Sequence, residues 1–285
     1  QVALLTGRER GKNRAVALES LVEGRAQIAI GTHALFQDEV EYKNLALAVI
    51  DEQHRFGVHQ RLSLAAKGDA VDTLVMTATP IPRTLMLTAY GDMDTSRLME
   101  KPPGRKPVDT RVLPVKRLEQ IVDACSRALN AGGKVFWVCP LIEESEKLDV
   151  AAAEDRQAAL VSRFGDRVGL VHGRMKGPEK DKAMAAFVDG NVDILVATTV
   201  IEVGVDVPAA TVMVIEHSER FGLAQLHQLR GRIGRGDKPA TCLLMYGSPL
   251  TETARSRLSI MRETDDGFLI AEEDLKLRGA GELLG

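Results

Sequence analysis

The sequence contains no apolar run long enough to cross a bilayer. Its longest uninterrupted runs are about six residues, against the roughly 18 that a spanning helix needs. No charged, apolar and small-residue leader opens the chain, so the expectation is a cytoplasmic protein with no membrane partner. Cysteine is scarce: Cys125, Cys139 and Cys242 are the three present. An odd number without a CxxC pair argues against a disulfide or a metal cage and for buried thiols in a reducing compartment. Basic residues are not in excess either, the net charge being −3. That balance lacks the broad basic face of a protein that coats nucleic acid, but it is compatible with one that grips a few phosphates in a cleft. The local cluster Arg8, Arg10, Lys12 and Arg14 reads by default as a solvated face.

A phosphate-binding loop is also missing. Gly7 and Gly11 have three residues between them where that loop needs four, and Asn13 follows Lys12 where a magnesium-binding Ser or Thr is required. Gly132-Gly133-Lys134 fails too, because Val135 follows the lysine. The chain opens on Gln1 rather than Met, which suggests a processed or excised piece of a longer protein.

What is present is a soluble-protein composition, 45% hydrophobic and 27% charged, over 285 residues, enough for two domains. Short apolar runs alternate with helical spacing. Strands are expected at residues 2–6, 26–30, 45–50, 74–76, 135–139, 168–171, 194–197, 212–215 and 242–246. Helices are expected at 14–23, 118–130, within 143–164, and at 179–188. This alternation predicts an α/β fold with parallel sheets covered on both faces. The stretch 101–107, with three prolines and a glycine, reads as the linker between two such halves. The expected organisation is a first lobe at 1–100, a linker at 101–110, a second lobe at 111–247 and a helical hairpin at 248–285.

The run 45–50 (LALAVI) stops abruptly at Asp51 and Glu52. Ligands of open parallel sheets lie beyond the carboxyl ends of strands. Paired carboxylates there suit a hard cation with bound phosphates, one holding the ion and the other acting on a water. Small and hydroxyl-bearing residues follow other strands: Gly31-Thr32-His33, Thr77-Ala78-Thr79, Gly173-Arg174 and Thr198-Thr199. Backbone amides and hydroxyls there can meet a phosphate, although ordinary turns would look the same. Arg230, Arg232 and Arg235, with Gly231 and Gly234 between them, cannot form a packed amphipathic stripe. Their planar forks match phosphate oxygens.

Taken together and in this order, these stretches resemble the motifs of the superfamily 2 helicases. Asp51-Glu52-Gln53-His54 is similar to the DEAD/DEAH-type acidic motif, and residues 77–84 to the third motif. Residues 197–208 are similar to the fifth, and Gln228, Gly231, Arg232 and Arg235 to the QxxGRxxR of the sixth. The residues around these motifs, and the tail from Thr253 to Gly285, resemble the RecG family and the translocation hairpin that it shares with the transcription-repair coupling translocase.

The resemblance implies two RecA-like lobes, the first incomplete, plus the hairpin. It implies ATP and Mg²⁺ as cofactors and branched or forked DNA as partner. Asp51 and Glu52 would hold the metal, with Glu52, Arg232 and Arg235 catalytic. Gln53, His54, Gly204, Asp206 and Gln228 would also face the nucleotide, and Thr77, Ala78 and Thr79 would couple it to DNA. Gly31, Thr32, His33, Gly173, Arg174, Thr198 and Thr199 would contact DNA. It further implies that the phosphate-binding loop and a wedge domain precede Gln1, and that a loop used in translocation follows Gly285. Residues 1–100 would then pack incompletely, or associate with a neighbouring chain without physiological purpose. The coupling translocase, a non-catalytic DNA-binding module, and a metal hydrolase using Asp51, Glu52, His54 and His59 are the alternative readings.

Overall fold

The computed structural model describes residues 1–7, 9–52, 64, 66–68, 70–78, 94–140, 146–198 and 206–278. The chain divides into two compact units, Gln1–Ala78 and Thr79–Gly285.

In the first unit β1 (Val2–Leu5) pairs in parallel with β2 (Ile28–Gly31), joined by helix α1 (Gly11–Val22). A second parallel pair is formed by β3 (Leu47–Ile50) and β4 (Asp72–Val75). Strand periodicity puts Ala3, Leu5, Ala48 and Ile50 inward, where they are buried. The same periodicity turns Val2, Leu4, Ile28, Ile30, Leu47, Val49 and Leu74 outward, and all seven are exposed although apolar. Each two-stranded sheet therefore has one covered face and one exposed apolar face.

The second unit holds a six-stranded, wholly parallel sheet. Its strands are β5 (Val108–Pro114), β6 (Lys134–Val138), β7 (Val168–Val171), β8 (Ile194–Ala197), β9 (Ala210–Ile215) and β10 (Ala240–Tyr246). Their spatial order is β5-β10-β9-β6-β8-β7. Helices α2 (Leu118–Asn130) and α3 (Glu146–Phe164) cover one face. Ile121, Cys125 and Leu129 of α2, at spacings of four residues, meet Val135 and Trp137 there. Helices α4 (Gly177–Asp189), α5 (Leu223–Arg230), α6 (Glu252–Glu263) and α7 (Gly267–Arg278) lie on the other face. Phe136 and Val138, the alternate residues of β6, pack against Phe187, Leu226 and Met261 on that side. Helices α6 and α7 form the expected hairpin. Thr251 caps the first through Ala254 N at 3.2 Å, and Asp266 caps the second through Phe268 N at 2.8 Å.

Two boundaries differ from those expected. Residues 108–110, assigned to the linker, are the start of β5, whose seven residues pair with β10 along their whole length. The compact units also divide at Ala78, ahead of the proline-rich stretch, because that stretch packs on the second unit. Arg97 lies 5.0 Å from the ring of Phe268, Lys101 pairs with Asp265, and Arg105 donates to Gly231 O at 3.2 Å. All three cysteines are buried and unpaired in disulfides, with burial pushing each thiol up to about 12.

Candidate functional site

In the first unit the candidate residues gather at the carboxyl ends of its strands. Ile50 is in register with Val75, and Met76 N donates to Ile50 O at 2.8 Å. Asp51 and Glu52 thus leave β3 beside the start of the Thr77-Ala78 stretch after β4. The Glu52 amide donates to Asp51 Oδ1 at 2.8 Å, and Glu52 takes a φ of 52°. Left-handed backbone is uncommon for a residue with a side chain and concentrates at functional sites. Gln53, His54 and Thr79 lie outside the described residues.

At the other sheet Thr32 N reaches Leu5 O at 3.4 Å, and a side chain on Gly31 would meet that same oxygen at 2.1 Å. Only glycine allows this approach, which sets Thr32 and His33 at the strand tip. They line a cavity of about 540 Å³ together with Thr6, Gly7, Arg10 and Arg14. The stretch from Gly7 that fails as a nucleotide loop therefore faces the same space as the Thr32-His33 turn. Arg14, half-buried at the surface, pairs with Glu39 and donates to Gln37 Oε1 at 2.8 Å.

In the second unit Thr198 follows β8 and His172 follows β7, two adjacent strands, and Thr198 N donates to Val171 O at 3.3 Å. Thr198 Oγ1 and His172 Nδ1 are both buried with no partner among the described residues. Buried polar atoms are usually paired, so each calls for a partner that the described residues do not supply, such as a water. Gly173 and Arg174 are exposed in the turn that follows, held by Lys180 Nζ on Gly173 O at 2.9 Å. Thr199 and Gly204 lie outside the described residues.

The arginine-rich stretch sits where α5 ends. Arg235 donates from Nε to Gly231 O at 3.2 Å and from Nη1 to Asp206 Oδ1 at 3.3 Å. Both Arg235 and Asp206 are exposed, while Arg232 and Gln228 are half-buried. Gly234, at φ 67°, makes the turn between the two arginines. Arg230 plays another part, one its sequence position does not reveal. It is buried and donates to Met261 O and Thr264 O, both at 2.8 Å, and faces His227 Nδ1 at 3.1 Å. In return Arg257 of α6 donates to Phe221 O, just before α5, at 2.9 Å. Burial, with the Arg230 charge second, pushes the His227 imidazole down to about 4, so it is a neutral acceptor for that guanidinium.

In the first unit, then, an acidic pair lies at a strand tip, and in the second an arginine pair flanks the left-handed Gly234. The DEAD/DEAH box helicase model matches residues 1–88, and the helicase conserved C-terminal domain model matches residues 115–237. Over its full length the chain is similar to proteins of the RecG family of these helicases. It is 53% identical to the ATP-dependent DNA helicase RecG of Escherichia coli strain K12, over 100% of this chain and 42% of that protein. With RecG of Streptococcus pneumoniae serotype 4 it shares 52%, covering 43% of that protein. The chain thus spans about two-fifths of the curated relatives that it matches. A solved structure of RecG bound to a three-way DNA junction superposes with a TM-score of 0.77 at 48% identity, covering 99% of this chain and 37% of that one. Yeast Dbp5, bound to RNA and ADP with BeF3, is 15% identical at a TM-score of 0.64 over 97% of this chain and 73% of its own, and shares the fold. No helix among the described residues is long and apolar enough to cross a membrane.

Proposed function

We propose that this chain is the motor core of a cytoplasmic, RecG-type ATP-dependent DNA helicase, which remodels forked or branched DNA by translocating on duplex. The observation that carries this reading is similarity to RecG over the entire chain, motif-bearing residues included. The three-way junction bound by the related RecG supports a branched DNA partner here.

Asp51 and Glu52 fit a magnesium ion. No group of three or more acidic, His or Cys side chains capable of holding a metal occurs among the described residues. Magnesium suits such a sparse set, since it takes one or two carboxylates and completes its shell with water and substrate phosphates. When bound it would neutralise charge on the β- and γ-phosphates. Asp51, exposed at the strand tip, would hold that shell through water, while Glu52 orients the attacking water and takes its proton. Gln53 and His54 sense the γ-phosphate and pass its presence to Thr77, Ala78 and Thr79. Gly204, Asp206 and Gln228 contribute to nucleotide binding. Arg232 and Arg235 stabilise the charge that develops on the transferred phosphoryl group, a role worth about 10³–10⁵ in rate in related systems. Gly31, Thr32, His33, Gly173, Arg174, Thr198 and Thr199 meet DNA phosphates, positioning the strand without reading its sequence.

The chain by itself carries no phosphate-binding loop, so it would bind nucleotide poorly and turn over negligible ATP. The test is the fork-stimulated ATPase of the intact protein beside its Glu52→Gln variant. Turnover that rises with forked DNA and disappears in the variant supports the motor. No turnover in either protein would leave these residues as relics of a binding module.

A further inference from the structure

Arg105 stands outside every motif above, yet its side chain ends among them. The four residues Pro102-Pro103-Gly104-Arg105 close a turn in which Arg105 N donates to Pro102 O at 3.2 Å, and Gly104 has a φ of 83°. Proline at the second position and left-handed glycine at the third define a type II turn, stiffened by the proline ring. Residues 101–104 are exposed, whereas Arg105 is half-buried. Its Nη2 reaches Gly231 O at 3.2 Å, the same carbonyl oxygen that accepts Arg235 Nε at 3.2 Å. The turn and Arg235, Gly236 and Asp237 wall one cavity of about 410 Å³.

We infer that Arg105 is a positioning residue for Arg235, by holding the Gly231 carbonyl when Arg235 turns to phosphate. The inference rests on the assignment of Arg235 to the γ-phosphoryl group. To present its full fork to phosphoryl oxygens, Arg235 must withdraw Nε from Gly231 O and Nη1 from Asp206. Gly231 closes the last turn of α5, so its carbonyl sits at the negative end of that helix and is a strong acceptor. Without another donor this oxygen would compete with the phosphate for Arg235. Arg105 supplies that donor from a turn that need not move. Its charge, brought to the same oxygen, also disfavours the retracted position of a second guanidinium. Both effects act on Arg235 in the reactive arrangement rather than on nucleotide affinity.

The experiment is steady-state DNA-dependent ATPase of the intact protein, comparing wild type, Arg105→Ala and Arg105→Lys, with Arg235→Ala as reference. Arg105→Ala is expected to lower kcat about ten- to a hundredfold, the effect of one charged hydrogen bond, with KM for ATP within about twofold. Arg105→Lys is expected to recover most of the loss, because an ammonium can still donate to Gly231 O. Unchanged kcat in Arg105→Ala, a loss in the lysine variant as deep as in the alanine one, or a raised KM with intact kcat would each overturn the inference alone. Wild-type turnover by Arg235→Ala, or an inactive wild type, would instead overturn the underlying assignment and this inference with it.

Discussion

The guanidinium of Arg230 lies 2.8 Å from the carbonyl oxygen of Met261, joining the end of α5 to the end of α6. A second bond of the same length to Thr264 O satisfies another carbonyl left over where α6 stops. Helix ends buried without partners are unstable, and here a single buried side chain serves two of the orphaned acceptors. Removing it would leave those carbonyls and the His227 acceptor unpaired around a cavity. Arg230→Ala is therefore expected to destabilise the second unit by about 3 kcal/mol, read by urea unfolding. Arg230→Lys should recover part of the loss, because both carbonyls accept from one nitrogen, Nη1, whose place an ammonium can take, while the contact of Nη2 with His227 Nδ1 is lost. A loss under about 0.5 kcal/mol would show the contact to be dispensable, as most surface substitutions are.

The same network makes stability depend on pH through His227. Its folded pKa, about 4, lies below the ordinary value of 6.5. Between those limits the unfolded chain binds the proton and the folded chain does not. The contribution is therefore complete above pH 6.5 and is lost as pH falls toward 4, at up to about 1.4 kcal/mol per pH unit. Thermal midpoints measured at pH 7.5 and pH 5 should be closer together in His227→Gln than in wild type. An equal drop in both proteins would assign the acid sensitivity elsewhere.

Glu216, at the end of β9, is buried with one oxygen shared by Trp137 Nε1 and Arg156 Nε, while Arg156 Nη2 reaches its other oxygen at 3.1 Å. Breaking a buried pair from one side strands a charge in a poorly polarisable interior, whereas neutralising both sides does not. Arg156→Ala should cost about 3–5 kcal/mol, and Glu216→Gln in that background should restore part of it. Trp137 is the single tryptophan of the chain, so its fluorescence reports directly on this cluster. Strict additivity of the two substitutions would mean that the pair is not coupled.

The features of this chain differ in how far they are legible in the sequence. The acidic pair was visible because an apolar run ending in Asp51 and Glu52 is a one-dimensional pattern, and the structure puts both at the tip of β3. Arg230 was visible only as one of three arginines. Its structural role depends on acceptors more than thirty residues away that no local pattern announces. Strand β5 was hidden because Asp109 and Arg111 interrupt its apolar character. They pair with each other at 2.7 Å on the exposed side of an edge strand. The proline-rich stretch looked like a boundary for a sound local reason, its turn chemistry. Packing decided otherwise, through Lys101 on Asp265 and Arg105 on Gly231.

The two short sheets of the first unit set up the last prediction. Val2 and Leu4 beside Ile28 and Ile30 form one apolar face, and Leu47 and Val49 beside Leu74 form another, all more than half exposed. Exposed apolar area of this kind favours whatever removes it from water, by about 25 cal/mol per Å², and open strand edges add unpaired amides and carbonyls. The second unit has its sheet covered on both faces and no comparable surface on its described strands. The isolated chain should therefore bind a hydrophobic dye strongly and self-associate as concentration rises, measured by light scattering. Its first unit should unfold at lower denaturant than the Trp137 signal reports for the second. Polar substitutions confined to the bare faces, Leu4→Thr with Ile30→Thr, should reduce dye binding and self-association without shifting the Trp137 transition. If they leave association unchanged, the surface responsible lies elsewhere and these faces are not adhesive.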